Sequence, residues 1–378
     1  MIESPPFWMY ILGFLLVLGP LITLHELGHY LVGRWLGVKA EAFSIGFGKE
    51  LVGRTDRHGT RWKIAALPLG GYVQFKGDMN PASIPDGDAI ASATDEERLG
   101  SFHHALLWRR ALIVLAGPVA NILVTLAIFA GFFMAVGYPQ AKDAEQQLTI
   151  AGFMDDSPAQ KAGIEIGDRV VAVEGEPVEK LQDVQQAVML YPDQLLQITI
   201  QRGGAEMTYP VRTISMEIED RFGNPSRIGL IGIQAAASET EFVPQGIGTS
   251  LGLAVGESVK MVDMMVTGIK QIVTGQRSVQ ELGGPIKIAK FSGEQLSLGW
   301  LAFINFVALI SLNLAFINLL PIPGLDGGHL AFYAAEAVRR KPVGPRGMEM
   351  AYRTGMALVI VLMLFVTFND LVSLSPFG

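Results

Sequence analysis

Four long stretches of this sequence carry no acidic or strongly basic side chain, and they constrain the fold more than any other feature. Residues 4–24 contain no Asp, Glu, Lys, Arg or His, and residues 111–141, 295–325 and 354–369 contain no Asp, Glu, Lys or Arg. About 20 apolar residues in a helix cross the hydrocarbon core of a bilayer. The sequence therefore predicts four transmembrane helices, at about 7–33, 110–136, 298–320 and 350–373.

The composition agrees with a membrane protein and excludes several functions. Half of the residues are hydrophobic, 17% are charged and the mean hydropathy is +0.36, which is too apolar for one compact soluble domain. The net charge of −7 argues against a nucleic-acid binder, because such proteins normally have a basic surface. The sequence has no cysteine, so any metal site must be built from histidines and carboxylates.

Basic residues are concentrated in the loop between the first and second spans and in the loop between the third and fourth, which predicts an orientation. By the positive-inside rule the loops that carry them are cytoplasmic, and the N-terminus, residues 137–297 and the C-terminus lie on the outer side. We expect the first span to be retained rather than cleaved as a signal, because no Lys or Arg precedes it and its apolar run is too long. The basic residues are Arg34, Lys39, Lys49, Arg98, Arg109, Arg110, Arg339, Arg340, Lys341 and Arg346.

The outer segment is polar and rich in predicted strands. "SPAQKAGIEIGDRVVAVEGEPV" (157–178) predicts a short helix and then a strand, residues 181–190 an amphipathic helix, and residues 195–202 and 207–213 a hairpin around Gly203 and Gly204. This pattern resembles a PDZ domain of the bacterial protease-associated type. "IGLIGI" (228–233) is interpreted as one strand that either binds a peptide by strand addition or simply closes the sheet.

The chemistry is concentrated near the end of the first span, where "TLHELGHY" contains the motif H-E-x-x-H. His25 and His29 are one helical turn apart, so both imidazoles can reach one zinc ion, and Glu26 lies beside them as a general base. The alternatives are that the histidines are polar helix-end residues facing water, and that Glu26 is only a structural partner of a histidine. Three ionisable groups at the end of an apolar helix favour a functional site.

Two histidines do not complete a catalytic zinc site, which usually has three protein ligands and one water. "NLLPIPGLDGGHL" (318–330) offers Asp326 directly after an uncharged tract, among prolines and glycines that interrupt the helix. Irregular backbone at membrane depth is tolerated only where it is buried in protein or lines a polar cavity. His329 is a rival ligand by spacing, although an interfacial or supporting role is preferred for it.

These motifs together resemble the site-2 protease family of intramembrane zinc metalloproteases (M50-like peptidases), in the RseP-type branch and here with a single PDZ domain. The resemblance implies Zn²⁺ bound by His25, His29 and Asp326, with Glu26 as the catalytic base. It also implies cleavage within single-span membrane proteins, such as anti-sigma factors or signal-peptide remnants. An upstream site-1-type protease would already have trimmed these substrates, and the location would be the bacterial inner membrane with a periplasmic PDZ domain.

The same resemblance assigns substrate-binding residues. Residues 38–76 match a membrane-associated β-hairpin loop that offers an edge strand to an extended substrate, and we place Gly71 and Tyr72 at that edge. Asn313 and Asn318 match asparagines that handle substrate, and Asn121, with Gly117, matches a G-x-x-x-N pattern that points towards the zinc site. The alternatives are an ordinary hairpin packed on the spans and asparagines that only bond helices to one another.

The expected fold is thus a polytopic α-helical membrane protein with one extracytoplasmic α+β PDZ domain. Its predicted parts are residues 1–136 with the first two spans, 137–240 as the PDZ domain, 241–297 as an amphipathic extracytoplasmic connection, and 298–378 with the last two spans. Two other functions stay open. A PDZ-bearing membrane scaffold would have a structural or inactive zinc site, and a metal-ion transporter would use the ionisable groups as an ion path.

Overall fold

The computed structural model describes residues 5–77, 94–141, 148–219, 225–235, 240–275, 279, 283–341 and 345–373. Contacts divide the chain into two compact units. The first comprises Met1–Phe129 and Gly283–Leu371, and the second comprises Ala130–Leu282 and Val372–Gly378.

The described residues form ten helices and twelve strands. The helices are α1 (Phe7–Trp35), α2 (Asp95–Arg98), α3 (Leu107–Ala135), α4 (Pro158–Lys161), α5 (Leu181–Met189), α6 (Ile247–Val273), α7 (Pro285–Ser297), α8 (Trp300–Leu319), α9 (Asp326–Arg339) and α10 (Pro345–Ser373). The strands are β1 (Ala40–Thr55), β2 (Arg61–Phe75), β3 (Tyr138–Ala141), β4 (Ile150–Phe153), β5 (Arg169–Val173), β6 (Glu176–Pro177), β7 (Leu195–Arg202), β8 (Ala205–Arg212), β9 (Ile214–Glu219), β10 (Pro225–Leu230), β11 (Ile233–Ala235) and β12 (Thr240–Val243).

Four of these helices are long and apolar enough to cross a membrane, namely α1, α3, α8 and α10 within the described part of the chain. Their 18-residue windows have mean hydropathies of 2.1 to 2.4, and many of their large apolar side chains are exposed. Helices whose neighbours are lipid rather than protein show this pattern. The predicted spans are confirmed as helices, with ends that differ from the prediction by a few residues.

The β1–β2 hairpin follows α1 and packs against it, as predicted for residues 38–76. Tyr30 of α1, Phe43 and Phe75 of the hairpin and Ile113 of α3 lie in one buried cluster. The turn residues from Asp56 to Gly59, whose composition favours a hairpin turn, form the turn between the two strands. Asp56 accepts hydrogen bonds there from the backbone nitrogens of His58 (2.8 Å) and Thr60 (3.0 Å) and from Trp62 Nε1 (3.1 Å). The hairpin is therefore fixed at its turn and along its inner face.

Helix α7 belongs to the first unit, although the sequence placed it in a connection over 241–297. Glycines bring it into close contact with α1, because a Cβ at Gly13 would lie 2.7 Å from the backbone of Ser292, and one at Gly293 would lie 2.4 Å from the ring of Tyr10. Its N-terminus is held by Asp370 of α10, whose carboxylate accepts backbone hydrogen bonds of 3.0 to 3.1 Å from three residues. These donors are Gly284, Ile286 and Lys287.

The second unit contains the α+β domain that the sequence predicted as a PDZ domain. Its largest sheet has the strand order β6-β5-β7-β8, and α4 and α5 lie at the predicted positions. The core is apolar, with Ile198, Ile200 and Val211 fully buried. Asp168 accepts two hydrogen bonds of 2.6 Å from Arg202, and this bidentate pair lowers the pKa of the Asp168 carboxyl.

The prediction of one strand over 228–233 is wrong. The chain leaves β10 at Leu230 and starts β11 at Ile233, and the two strands pair with different partners, β9 and β4. Gly232 has a φ of +74° between them, a conformation that favours glycine. The carbonyl of Ile231 accepts hydrogen bonds from Ser157 Oγ and from the Ala159 nitrogen, both 3.0 Å long. The start of α4 therefore binds a carbonyl group that a continuous strand would need for pairing with its neighbour.

Helix α6 has an exposed apolar stripe, as expected for the amphipathic part of the predicted connection. Its members are spaced three, four or seven residues apart, on one face of the helix. They are Ile247, Leu251, Val255, Val259, Val266, Ile269 and Val273.

Candidate metal centre

Three ligand atoms converge in the first unit. His25 and His29 lie one turn apart on α1, and their Nε2 atoms are 3.2 Å from each other. Oδ2 of Asp326, the first residue of α9, lies 3.1 Å from His25 Nε2 and 3.6 Å from His29 Nε2. Within the described ranges this trio is the group of histidines and carboxylates that could hold a metal ion.

The spacing fits a tetrahedral metal ion. With bonds of about 2.0–2.1 Å to nitrogen and oxygen, two ligand atoms of a tetrahedral zinc site lie roughly 3.3 Å apart. The three observed distances of 3.1, 3.2 and 3.6 Å bracket that value. In addition, Asp326 Oδ2 is buried and has no hydrogen-bond partner. A buried carboxylate oxygen without a donor is costly unless a cation binds it.

The interrupted backbone after α8 puts Asp326 in place. Gly327 and Gly328 follow it, and a Cβ on Gly327 would lie 2.2 Å from the carbonyl oxygen of Leu320. A Cβ on Gly328 would lie 2.4 Å from the carbonyl oxygen of Ile322. The first turn of α9 can therefore pack against the end of α8 only because these two positions lack side chains.

Helix α3 supports both imidazoles. His29 Nδ1 donates a hydrogen bond of 2.8 Å to the carbonyl oxygen of Ile113, which leaves Nε2 as the atom with a free lone pair. Gly117, one turn later, faces the rings, because an added Cβ would lie 2.3 Å from His29 Nε2 and 2.8 Å from His25 Cε1. Close contact with His25 and His29 thus explains the glycine of the G-x-x-x-N pattern.

Glu26 is held by a hydrogen bond from the hairpin. Its Oε2 accepts a hydrogen bond of 3.1 Å from the backbone nitrogen of Val73 in β2. Gly71 lies close to it as well, since a Cβ there would be 3.5 Å from Glu26 Cγ. The acid next to the metal ligands is therefore oriented by the same strand that the sequence predicted as an edge for substrate.

A cavity of about 220 Å³ opens onto these groups. It brings together most of the residues predicted for the site, namely His25, Glu26, His29, Gly71, Tyr72, Asn318 and Asp326, and also His329. His329 lies outside the trio, and its Nδ1 is 2.6 Å from the hydroxyl of Tyr352. This position agrees with a supporting role rather than with metal ligation.

Two of the residues predicted to bind substrate do not line this cavity. Asn313 is partly buried in α8 and does not line the cavity, and Asn121 is fully buried with its amide facing His25. A side chain without exposed surface cannot bind a substrate from the cavity, so the structure gives no support for Asn121 in that role. Sequence reasoning also missed the backbone groups of Ile113 and Val73, for which a sequence carries no signal.

Comparison with known proteins decides the family. The model of peptidase family M50 matches residues 13–362. The chain belongs to peptidase family M50. Like the members of that family it is a membrane protein, and its relatives are named as zinc metalloproteases.

Relatives of this M50 peptidase match over nearly the full length. A protein named "Putative zinc metalloprotease" from Agrobacterium fabrum is 42% identical over 97% of this chain and 96% of its own. A protein with the same description from Mesorhizobium japonicum is 43% identical over 95% and 97%. The metalloprotease MmpA of Caulobacter vibrioides is 31% identical over 97% and 96%.

One solved structure similar to this M50 peptidase is the PDZ domain of an SdrC-like protein from Listeria monocytogenes. It is 18% identical and covers 24% of this chain and 87% of its own, with a TM-score of 0.19. A TM-score of this size carries no argument, so the description of the α+β domain depends on its own strands and helices.

Proposed function

We propose that this chain is a zinc-dependent endopeptidase that cleaves within the membrane-spanning segments of other proteins. The observation that carries the proposal is the position of the trio, with two ligands and Glu26 on α1, a helix apolar enough to cross a membrane. A protease whose ligands lie on such a helix acts on peptide bonds at or near membrane depth. The names of the relatives support zinc as the metal.

His25 Nε2, His29 Nε2 and Asp326 Oδ2 would hold the zinc ion. A zinc ion bound there would polarise the scissile carbonyl and lower the pKa of a bound water. Glu26 would serve as the general base that accepts a proton and later donates it to the leaving nitrogen, and the hydrogen bond from the Val73 nitrogen keeps its carboxylate in place. His25, His29 and Asp326 all line the cavity, so water and substrate would reach them by a common entrance.

The hairpin supports binding of an extended substrate. The nitrogen of Val73 points to Glu26, so the open edge of the last part of β2, residues 71–75, faces the site. Backbone groups alternate along a strand, so those of Gly71 face the same edge as those of Val73. A helical substrate hides its peptide bonds, and an open strand edge can hold it once it is extended. Tyr72 and Asn318 line the cavity beside this edge.

This geometry and the family resemblance support one class of substrate. We propose single-span membrane proteins, such as anti-sigma factors or signal-peptide remnants, after an upstream protease has trimmed their outer part. We infer from the basic loops and the positive-inside rule that the site lies near the cytoplasmic face of a bacterial inner membrane, with the α+β domain in the periplasm. A second cavity, of about 510 Å³, lies between α5 and the β10–β11 segment, and we propose that it binds a peptide or excludes bulky substrates.

The first test is cleavage of tagged single-span proteins by purified wild type and Glu26→Gln. Zinc content is measured in both, and Glu294→Gln on α7 is the matched carboxylate control outside the cavity. We expect wild type and Glu294→Gln to cut inside the span, and Glu26→Gln to bind zinc without cutting. Equal cleavage by Glu26→Gln would refute the role of Glu26. Absence of cleavage by every zinc-loaded form, with trimmed substrates present, would favour a scaffold with an inactive site.

A further inference from the structure

Asn121 lies in the middle of α3 and is fully buried. Its side-chain nitrogen Nδ2 is 3.2 Å from Nδ1 of His25, and its side-chain oxygen Oδ1 is buried without a hydrogen-bond partner. An amide that buries its oxygen unpaired loses free energy that a different orientation can recover. The amide oxygen and nitrogen fill nearly the same space, so a half-turn of this group exchanges them without moving any neighbour.

The chemistry of His25 decides between the two orientations. A neutral imidazole carries its hydrogen on one ring nitrogen, and the other nitrogen has the lone pair that can bind a metal. Nε2 of His25 lies in the trio, so the hydrogen must be on Nδ1. An Nδ1–H group needs an acceptor, and Oδ1 of Asn121 becomes that acceptor after the half-turn. The same change gives the unpaired oxygen its partner.

His29 also donates its Nδ1–H group to an oxygen of α3, in this case a main-chain oxygen. His29 Nδ1 donates to the carbonyl oxygen of Ile113, two turns earlier on α3. Histidines that bind metals usually donate their second ring N–H to an oxygen, which fixes the ring and its tautomer. Helix α3 would thus supply one oxygen to each imidazole, a main-chain oxygen to His29 and a side-chain oxygen to His25.

We propose that Asn121 is a positioning residue whose Oδ1 accepts a hydrogen bond from His25 Nδ1–H and keeps the Nε2 lone pair directed at the metal. The inference rests on the proposed function, because it needs His25 as a ligand. Helix α8 holds this part of α3 in place. Ser311 Oγ donates a hydrogen bond of 2.8 Å to the carbonyl oxygen of Asn121.

The test measures zinc affinity in the full-length protein, purified in detergent, by competition with a chromophoric chelator. Asn121→Leu removes the acceptor with little change in volume, and Asn121→Asp keeps an acceptor and removes the donor. The control is Thr125→Val, which removes a buried polar group one turn away on the same helix, without contact to His25. We expect Asn121→Leu to bind zinc roughly 10–100-fold more weakly, and Asn121→Asp and Thr125→Val to stay within about threefold of wild type.

A second readout separates positioning from general damage. The visible spectrum of the Co²⁺-loaded protein reports coordination geometry, and we expect it to change in Asn121→Leu and to match wild type in Asn121→Asp. The melting temperature of metal-free Asn121→Leu should fall only slightly, because the variant loses a single hydrogen bond, the one between Asn121 Oδ1 and His25 Nδ1–H. If Asn121→Leu does not fold, Asn121→Asp alone decides, because an ionised carboxylate can only accept.

Two results would overturn the inference alone. One is wild-type zinc affinity in Asn121→Leu, and the other is a loss in Asn121→Asp as large as in Asn121→Leu. A failure of the proposed function looks different. In that case His25→Ala binds zinc as tightly as wild type, or wild type binds none, and the Asn121 variants then show no difference from either.

Discussion

Gly117→Ala offers a direct test of how closely α3 packs on the proposed metal ligands. An alanine Cβ at this position would lie 2.3 Å from His29 Nε2 and 2.8 Å from His25 Cε1. Ordinary contacts of a Cβ begin near 3.4 Å, so the ring of His29 must move by about 1.1 Å. The ring of His29 cannot move away from α3 freely, because its Nδ1 donates a hydrogen bond to the carbonyl oxygen of Ile113 on that helix.

This displacement of the His29 ring is larger than a metal site tolerates. Ligand distances in such sites hold to about 0.2 Å, and a misplacement of about 1 Å at a catalytic group can cost on the order of 100-fold in rate. We therefore expect Gly117→Ala to reduce kcat/KM by roughly 100-fold and to weaken zinc binding by at least about 10-fold. Overpacking should also lower the free energy of unfolding by about 1–3 kcal/mol.

The matched control is Gly131→Ala on the same helix, where an added Cβ has no atom within 4 Å. There the substitution should raise helix stability by up to about 1 kcal/mol and leave zinc binding unchanged. Zinc affinity, cleavage of a single-span substrate and the melting temperature are measured for both variants. Wild-type zinc affinity and activity in Gly117→Ala would show that the rings do not pack against this face, and the description of the centre would be wrong.

Three further predictions concern the rest of the molecule. Asp370→Ala removes the acceptor of three backbone N–H groups at the start of α7 and should lower the free energy of unfolding in detergent by about 3 kcal/mol, with a smaller loss in Asp370→Asn. The lowered pKa of Asp168 means that its pairing with Arg202 stabilises the fold above the unfolded-state pKa of about 3.9 and that this stabilisation is lost as the pH falls below it. The melting temperature of Arg202→Met should thus lie well below that of wild type at pH 7 and approach it at pH 3. Removal of the metal with a chelator should abolish cleavage, and added Zn²⁺ should restore it, as followed with the same substrate.

The sequence predicts those parts of the fold that depend on local composition. Uncharged tracts predict the four spans, and the turn residues from Asp56 to Gly59 predict the hairpin, because each signal lies within the segment that folds. The motif around His25 predicts two ligands for the same reason, since one helix turn fixes their separation. The family resemblance predicts Asp326 as the third ligand, and the convergence of the three atoms agrees with that prediction.

Other parts depend on contacts between distant segments, and here the predictions are incomplete or wrong. Helix α7 packs on α1 through Gly13 and Gly293, and nothing in the composition of 241–297 separates it from α6. The strand predicted over 228–233 is interrupted because Ser157, more than 70 residues earlier, binds its carbonyl at Ile231. Asn121 faces a ligand rather than the cavity because of the rotation of α3, which a motif does not specify.

The order of the ligands along the chain has a consequence for biosynthesis. His25 and His29 lie on the first helix, whereas Asp326 follows almost 300 residues later, after residues 130–282 of the second unit. At a synthesis rate of about 5–20 residues per second, roughly 15–60 s separate the emergence of the histidines from that of the carboxylate. During that interval the nascent chain sits in the bilayer with an incomplete set of ligands. The proposed metal site is therefore complete only when translation of the chain is nearly finished.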